Sequence, residues 1–283
     1  MIWLRALSAL LIVASVLAPQ FAHQEPPSPP TGADVVLLVD RTTSMGARDH
    51  AGGQPRMAGV AADIAEIVAA LPNSRFAVIT SDNQARISAP WTTDTAAVVT
   101  LGETMGWREE GYGTGSDIAA GAPLAEELLR TSAAARPEAE RYLFYFGDGE
   151  QIAPYEPASF AALADLLDGA RVFGYGTDKG GVMALRVDTD ELVTRGGVAQ
   201  LSRLDEARLR AIAGQLGGVY QHRSASGGLS LPAAPEGAVG GAEATSPGAP
   251  LGVLLAAVAA LLLACDGAAT ARRARRMRAE VAS

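Results

Sequence analysis

Apolar positions along the chain fall into two alternating patterns. Short continuous runs at 35–39, 75–80, 142–146 and 171–175 predict strands buried on both faces. Between them, apolar residues recur at helical spacing. Met57, Val60, Ile64, Ile67, Val68 and Leu71 mark a helix over 56–71, stopped by Pro72-Asn73. Ile118, Ala119, Leu124 and Leu128 mark another over 117–129. Helices are also predicted at 95–105, 157–167 and 204–216, the last ended by Gly217-Gly218, and short strands at 85–89 and 219–221. Strands alternating with helices predict an α/β fold. It is a Rossmann-like, doubly wound, mostly parallel sheet with helices on both faces. Ligands of such sheets bind beyond the C-terminal ends of the strands, at a topological switch.

Two apolar segments lie outside this pattern. Arg5 precedes an apolar stretch over 6–22, the pattern of a signal peptide or signal anchor. Its small-residue cleavage sites are imperfect: Val16-Leu17-Ala18 is followed by Pro19, and Gln20-Phe21-Ala22 carries a large residue. An uncleaved anchor is the favoured expectation. The second segment runs from Leu251 to Cys265 and continues Ala-rich to Ala271. About 20 residues span a bilayer as a helix. The five arginines within 272–278 mark a cytoplasmic flank. The expected organisation is a signal segment (1–22), a Pro-rich spacer (23–33), the folded domain (34–222), a flexible Gly/Ala/Pro/Ser linker (223–250), a transmembrane helix (251–271) and a basic cytoplasmic tail (272–283). Both termini are then cytoplasmic, and the domain lies outside at the cell membrane.

Composition narrows the chemistry. The net charge of −8 from 31 acids and 23 bases argues against a nucleic-acid partner, which needs a basic face. A single cysteine, Cys265, excludes an intramolecular disulfide and a Cys-based metal cluster. His23, His50 and His222 show no ligand spacing, so a His/Cys zinc site is not expected.

Candidate chemistry sits where the strands end. The first strand runs into Asp40, with Thr42 and Ser44 at alternate positions after it. One carboxylate and two hydroxyls suit a hard divalent cation, Mg²⁺ above all. The Gly-rich loop at 111–121 adds Ser116 or Thr114, with Ser116 also placed to cap the following helix. Asp148-Gly149-Glu150 follows the strand at 142–146. Taken singly, each piece reads more readily as an ordinary turn.

Together and in this order, the pieces resemble the von Willebrand factor A (vWA) family and its metal-ion-dependent adhesion site. The DxSxS pattern matches Asp40, Thr42 and Ser44, with Thr in place of the first Ser. The later-loop Thr matches Ser116, and the last Asp matches Asp148. The stretch from Leu204 to Tyr220 resembles the family's last helix and strand. The resemblance covers 34–222 and implies a metal set of Asp40, Thr42, Ser44, Ser116 and Asp148. It also implies Mg²⁺, with Mn²⁺ or Ca²⁺ as alternatives, and an open position for a carboxylate of a protein partner. No catalytic role is implied. The flanking anchors resemble bacterial vWA proteins linked to MoxR-type ATPases and aerotolerance clusters. A haloacid-dehalogenase-like phosphohydrolase fits less well. Thr42 stands where its second Asp belongs, Ile152 and Ala153 where its last acid belongs, and Lys179 is the only lysine. A vWA-like scaffold with an inactive metal site is the remaining alternative.

Overall fold

In the computed structural model, which describes residues 8, 11–12, 32–109, 115–233 and 251–281, Asp34–Asp40 (β1) is buried along its whole length. Burial on both faces suits its apolar run, because a central strand meets helices above and below. Arg75–Ser81 (β2) pairs with it in parallel, and Ala85–Thr92 (β3) returns antiparallel along the edge. On the other side lie Arg141–Gly147 (β4), Gly169–Tyr175 (β5) and Val219–Arg223 (β10), all parallel. The order β10-β5-β4-β1-β2-β3 places the topological switch between β1 and β4. Asp40 ends β1 and Asp148 directly follows β4, so the fold brings both carboxylates to that switch.

The period-two alternation of the strands builds two cores. Val35, Leu37, Val39, Phe144 and Phe146 pack on the face of Arg56–Ala70 (α1) and Thr95–Thr104 (α2). Val36, Leu38, Leu143 and Tyr145 face Ala122–Ala135 (α3) and Glu206–Gln215 (α4). Full burial of each large apolar side chain contributes about 1.5–3 kcal/mol. The expected mostly parallel α/β sheet with helices on both faces is therefore observed.

Several local expectations shift. The helix expected over 117–129 starts at Ala122, after a turn at 118–120, with Pro at its first turn. Gly121 precedes it because a Cβ there would lie 2.3 Å from Leu38 Cδ1. The helix expected over 157–167 is a 3-10 helix, Ala161–Leu166. Buried Phe160 and Leu163, three apart, fall on one side of a three-residue turn. The strand expected at 85–89 continues to Thr92 through register shifts. Between β5 and α4, where no element is expected, four two-residue strands form. Gly181–Val182 (β6) pairs with Leu201–Ser202 (β9), and Thr194–Arg195 (β7) pairs with Val198–Ala199 (β8).

A buried ion pair pins the sheet's far edge. Asp63 on α1 accepts two 2.7 Å hydrogen bonds from Arg223 of β10 and a third, also 2.7 Å, from the Tyr175 hydroxyl of β5. Beyond β10 the chain continues over the core, with Leu229 and Leu231 packed against it. Arg171 Nε donates to the Ser230 carbonyl at 2.6 Å.

The terminal residues 1–29 and 241–283 make up a second unit. Its described helix is Leu251–Val281 (α5). The signal segment at 1–22 and the Pro-rich spacer lie almost entirely outside the described residues. Among the described residues no helix is long and apolar enough to cross a membrane, so the expected transmembrane helix at 251–271 gains no support there. The side chains described in α5 are those of 257–272, a span that already includes Asp266 and Arg272.

Removing Asp63 would leave Arg223 charged and unpaired in the interior. Asp63→Ala is expected to lower stability by about 3–5 kcal/mol in urea denaturation, with β10 amides exchanging fastest. A loss below about 1 kcal/mol would show that the pair is dispensable.

Candidate functional site

β1 delivers Asp40 to the switch point, and the chain turns at once into a short 3-10 helix, Thr43–Gly46. The Asp40 Oδ1 accepts the Thr42 backbone N–H at 2.8 Å, which fixes this turn. The hydroxyls of Thr42 and Ser44 share a 2.7 Å hydrogen bond. All three side chains are buried. The other Asp40 oxygen, Oδ2, has no hydrogen-bond partner among the described residues. Burial, then the nearby Asp148 carboxylate, raises the Asp40 pKa to about 7. An acid so placed is a charge in need of a cation.

Asp148 is held more tightly. Its Oδ1 accepts the Glu150 N–H at 3.0 Å in the Asp-Gly turn, where Gly149 takes φ +78° and a Cβ would lie 2.6 Å from the Asp205 carbonyl oxygen. Its Oδ2 receives a 2.7 Å hydrogen bond from Arg56 Nη1. Ser116 Oγ donates to the Glu150 carbonyl at 2.8 Å and accepts from Ile152 N–H at 3.3 Å. Ser116 thus joins the Asp148 turn and does not cap a helix, since α3 is preceded by Gly121. Thr114, the alternative hydroxyl, lies outside the described residues. The structure therefore brings Asp40, Thr42 and Ser44 together, with Asp148 and Ser116 joined through Glu150 beside them.

Arg56, the first residue of α1, carries no functional expectation in the sequence. Its side chain is 0 % exposed and forks onto Asp49 with bonds of 2.8 and 2.9 Å. Nη1 also reaches Ser202 Oγ at 2.6 Å and the Ser44 carbonyl at 3.3 Å, and Nη2 reaches the Ser202 carbonyl at 3.0 Å. Burial works against its charge, but Asp49 and Asp148 outweigh that and raise its pKa. Gly176 is required behind it, because a Cβ there would lie 2.6 Å from the guanidinium carbon. The only sequence sign of this residue is a lone Arg opening an otherwise apolar helix face.

The cluster opens into a cavity of about 960 Å³ lined by Thr42, Ser44, Ser116 and Glu150 on one side. The segment between β5 and α4 and the start of α4 form the other wall, through Met183, Leu201, Arg203 and Asp205. Neither His nor Cys lines it. Among the described residues no group of three or more His, Cys, Asp or Glu is placed to hold a metal. The predicted set differs in kind, with two carboxylates and three hydroxyls. The unpartnered Asp40 Oδ2 and the paired hydroxyls fit an oxygen-seeking cation. Asp148, already bound to Arg56, fits better as a neighbouring charge than as a bare ligand.

Residues 35–151 match the family model of the von Willebrand factor type A domain. Among solved structures, the chain is similar to BatB from Bacteroides thetaiotaomicron, a conserved hypothetical protein. Identity is 22 %, the match covers 69 % of this chain and 92 % of that one, and the TM-score is 0.56. It is likewise similar to an aerotolerance-related membrane protein from Bacteroides fragilis NCTC 9343, solved with multiple mutations to serines. Identity there is 23 %, coverage 68 % and 91 %, and the TM-score 0.55. Proximal thread matrix protein 1 from the mussel byssus, with a zinc-occupied MIDAS motif, also matches. Its identity is 14 %, its coverage 68 % and 44 %, and its TM-score 0.45. No curated protein matches the chain.

Replacing Arg56 would strand two buried carboxylates. Arg56→Met is expected to cost about 3–5 kcal/mol in chemical denaturation. Arg56→Lys should recover only part of this, because an ammonium lacks the fork that spans Asp49 and Asp148. Equal stability of Arg56→Met and wild type would contradict the assigned role.

Proposed function

We propose, from the match of residues 35–151 to the von Willebrand factor type A domain model, that the chain is a binding module whose divalent-metal site receives a carboxylate from a protein partner outside the cytoplasm. The observation that carries this is Asp40. Its Oδ2 is buried without a partner among the described residues, beside two hydroxyls, at the strand-end switch where α/β sheets bind ligands. Asp40, Thr42 and Ser44 would hold the ion, with Ser116 beside them and Asp148 acting as the neighbouring charge. Mg²⁺ suits these hard oxygens best, and Mn²⁺ or Ca²⁺ share the preference. When bound, the ion supplies a positive, oxygen-seeking centre with a position open to an incoming carboxylate. The chain's own part is to pre-order the oxygens: Asp40 fixes the Thr42 turn, and Arg56 neutralises Asp148 so that it does not repel the incoming acid.

A binding role is favoured over catalysis. The hydroxyls lining the cavity bond to each other or to the backbone, and no histidine stands by to activate them. Membrane attachment is supported by the apolar run over 251–265 with its arginine-rich flank, and by the membrane protein of Bacteroides fragilis that shares the fold. A functional link to a MoxR-type ATPase belongs to the same proposal and rests on the arrangement of the two apolar terminal segments around the domain.

Calorimetric titration of the detergent-solubilised chain with Mg²⁺ and Mn²⁺ should show binding that Asp40→Ala and Asp148→Ala lose. Unchanged binding by Asp40→Ala, or none by folded wild type, would refute the site. Without metal, Asp40→Asn should be more stable than wild type by about 1–3 kcal/mol, since it removes a charge with an unmet oxygen. With metal, that variant should show no Mg²⁺ response in thermal melting.

Orientation has its own check. A reporter enzyme active only outside the cytoplasm, fused at Ser226, should be active. Activity of a cytoplasmic reporter there instead would reverse the topology.

A further inference from the structure

The register of β1 and β4 brings a tyrosine to the Asp40 carboxylate. Leu38 stands opposite Tyr145, and Val39 opposite Phe146, in this parallel pair. Alternation along each strand then puts Asp40 on the face of Leu38 and Gly147 on the face of Tyr145. Gly147 carries no side chain, and the Tyr145 ring leans into the space this leaves. A Cβ at Gly147 would lie 2.9 Å from Tyr145 Cε1, 3.0 Å from its Oη and 3.1 Å from Asp40 Cβ. The hydroxyl and the acid therefore border the volume of one absent methyl group. Phe160 packs edge-on against the ring, with centroids 6.0 Å apart. Tyr145 is 0 % exposed. Its hydroxyl has no hydrogen-bond partner among the described residues, and neither has Asp40 Oδ2. Burial first, then the charges of Asp40 and Asp148, push the Tyr145 pKa up, so the hydroxyl keeps its proton and faces the carboxylate as a donor. A core position needs none of this. Phenylalanine would fill the same space without burying a hydroxyl, and glycine weakens a strand. Both costs fall at one place, and that place adjoins Asp40.

We propose that Tyr145 is a positioning residue of the cation site: when the ion is bound, its hydroxyl donates to the Asp40 carboxylate and fixes the direction in which that carboxylate points. This deepens the binding reading above and rests on it for the ion. Side-chain rotation alone can close the gap, since both groups already border the Gly147 space. The two Asp40 oxygens then have separate anchors. Oδ1 is tied to the Thr42 N–H at 2.8 Å. Oδ2 has room for two contacts, one from the Tyr145 proton and one on the side of the Thr42 and Ser44 hydroxyls. A hydrogen bond to the charged form of an acid favours that form, so Tyr145 offsets part of the burial cost of Asp40. Arg56 does the same for Asp148 with a full positive charge. A neutral hydroxyl beside Asp40 steadies the carboxylate and leaves its negative charge for the ion.

The test uses the full chain in detergent and compares wild type with Tyr145→Phe, which removes the hydroxyl and keeps the ring. In EDTA, Tyr145→Phe should unfold at no lower urea concentration than wild type, because the lost hydroxyl has no partner there among the described residues. In calorimetry its Mn²⁺ affinity should fall about three- to tenfold. Tyrosine isotopically labelled at Cζ and read by NMR supplies a direct signature. The resonance that Tyr145→Phe lacks should shift when Mg²⁺ is added to wild type, and should stay in place in Asp40→Asn. Equal Mn²⁺ affinity of Tyr145→Phe and wild type overturns the proposal and leaves the metal reading intact. Earlier unfolding of Tyr145→Phe in EDTA marks the hydroxyl as a contact of the fold and overturns it too. A Cζ resonance indifferent to Mg²⁺ has the same consequence. No Mn²⁺ binding by folded wild type overturns both readings together.

Discussion

One buried guanidinium holds the C-terminal edge of the sheet in place. Arg56 starts a core helix, yet its charge is spent on Asp49, Asp148 and Ser202. A buried charge is tolerated only when its partners are close and well aligned, and breaking such a cluster is far more costly than never having built it. The cluster therefore acts as a rivet. It joins the loop after β1, through the Ser44 carbonyl, to the turn after β4 and to the small strands between β5 and α4. Asp49 extends the joint by accepting from Thr177 at 2.9 Å.

The rivet sets the electrostatics of the neighbouring oxygens. Asp148 has its counter-charge, whereas Asp40 has none among the described residues, and Asp40 bears the cost of burial beside another acid. Two carboxylates at one strand switch thus have different duties. Asp148 organises the turn, and Asp40 offers an unmet oxygen to whatever arrives. The fold supplies this contrast by topology alone, since parallel β1 and β4 end side by side where the chain direction switches. The wall of the cavity is tied to the same rivet through Ser202, so wall and site share one hydrogen-bonded joint.

Much of this architecture is legible in the amino-acid sequence. The strands beneath the site are short apolar runs, and Asp40 and Asp148 stand at their ends, where position alone marks them. Periodicity finds α1 and α4 because each buries one stripe. What escapes it depends on contacts distant in sequence. Arg56 reads as an ordinary polar start to a helix, because Asp148 lies 92 residues away. Asp63 looks like a solvated acid until Arg223 arrives from the last strand. The strands of the segment between β5 and α4 are two residues long, too short for any alternation to register. Ser116 next to Asp117 imitates a helix cap, but Pro123 and the turn before it delay the helix to Ala122 and leave Ser116 to bond the Glu150 carbonyl.

The proposed cation site consists of the oxygens after β1, beside a carboxylate already neutralised by Arg56. Crystals grown in Mn²⁺ should give one anomalous peak, bounded by Asp40 Oδ2 and the Thr42 and Ser44 hydroxyls, with Arg56 still bonded to Asp148. Crystals in Mn²⁺ with no peak at this cluster, or with manganese bound only elsewhere, would contradict it.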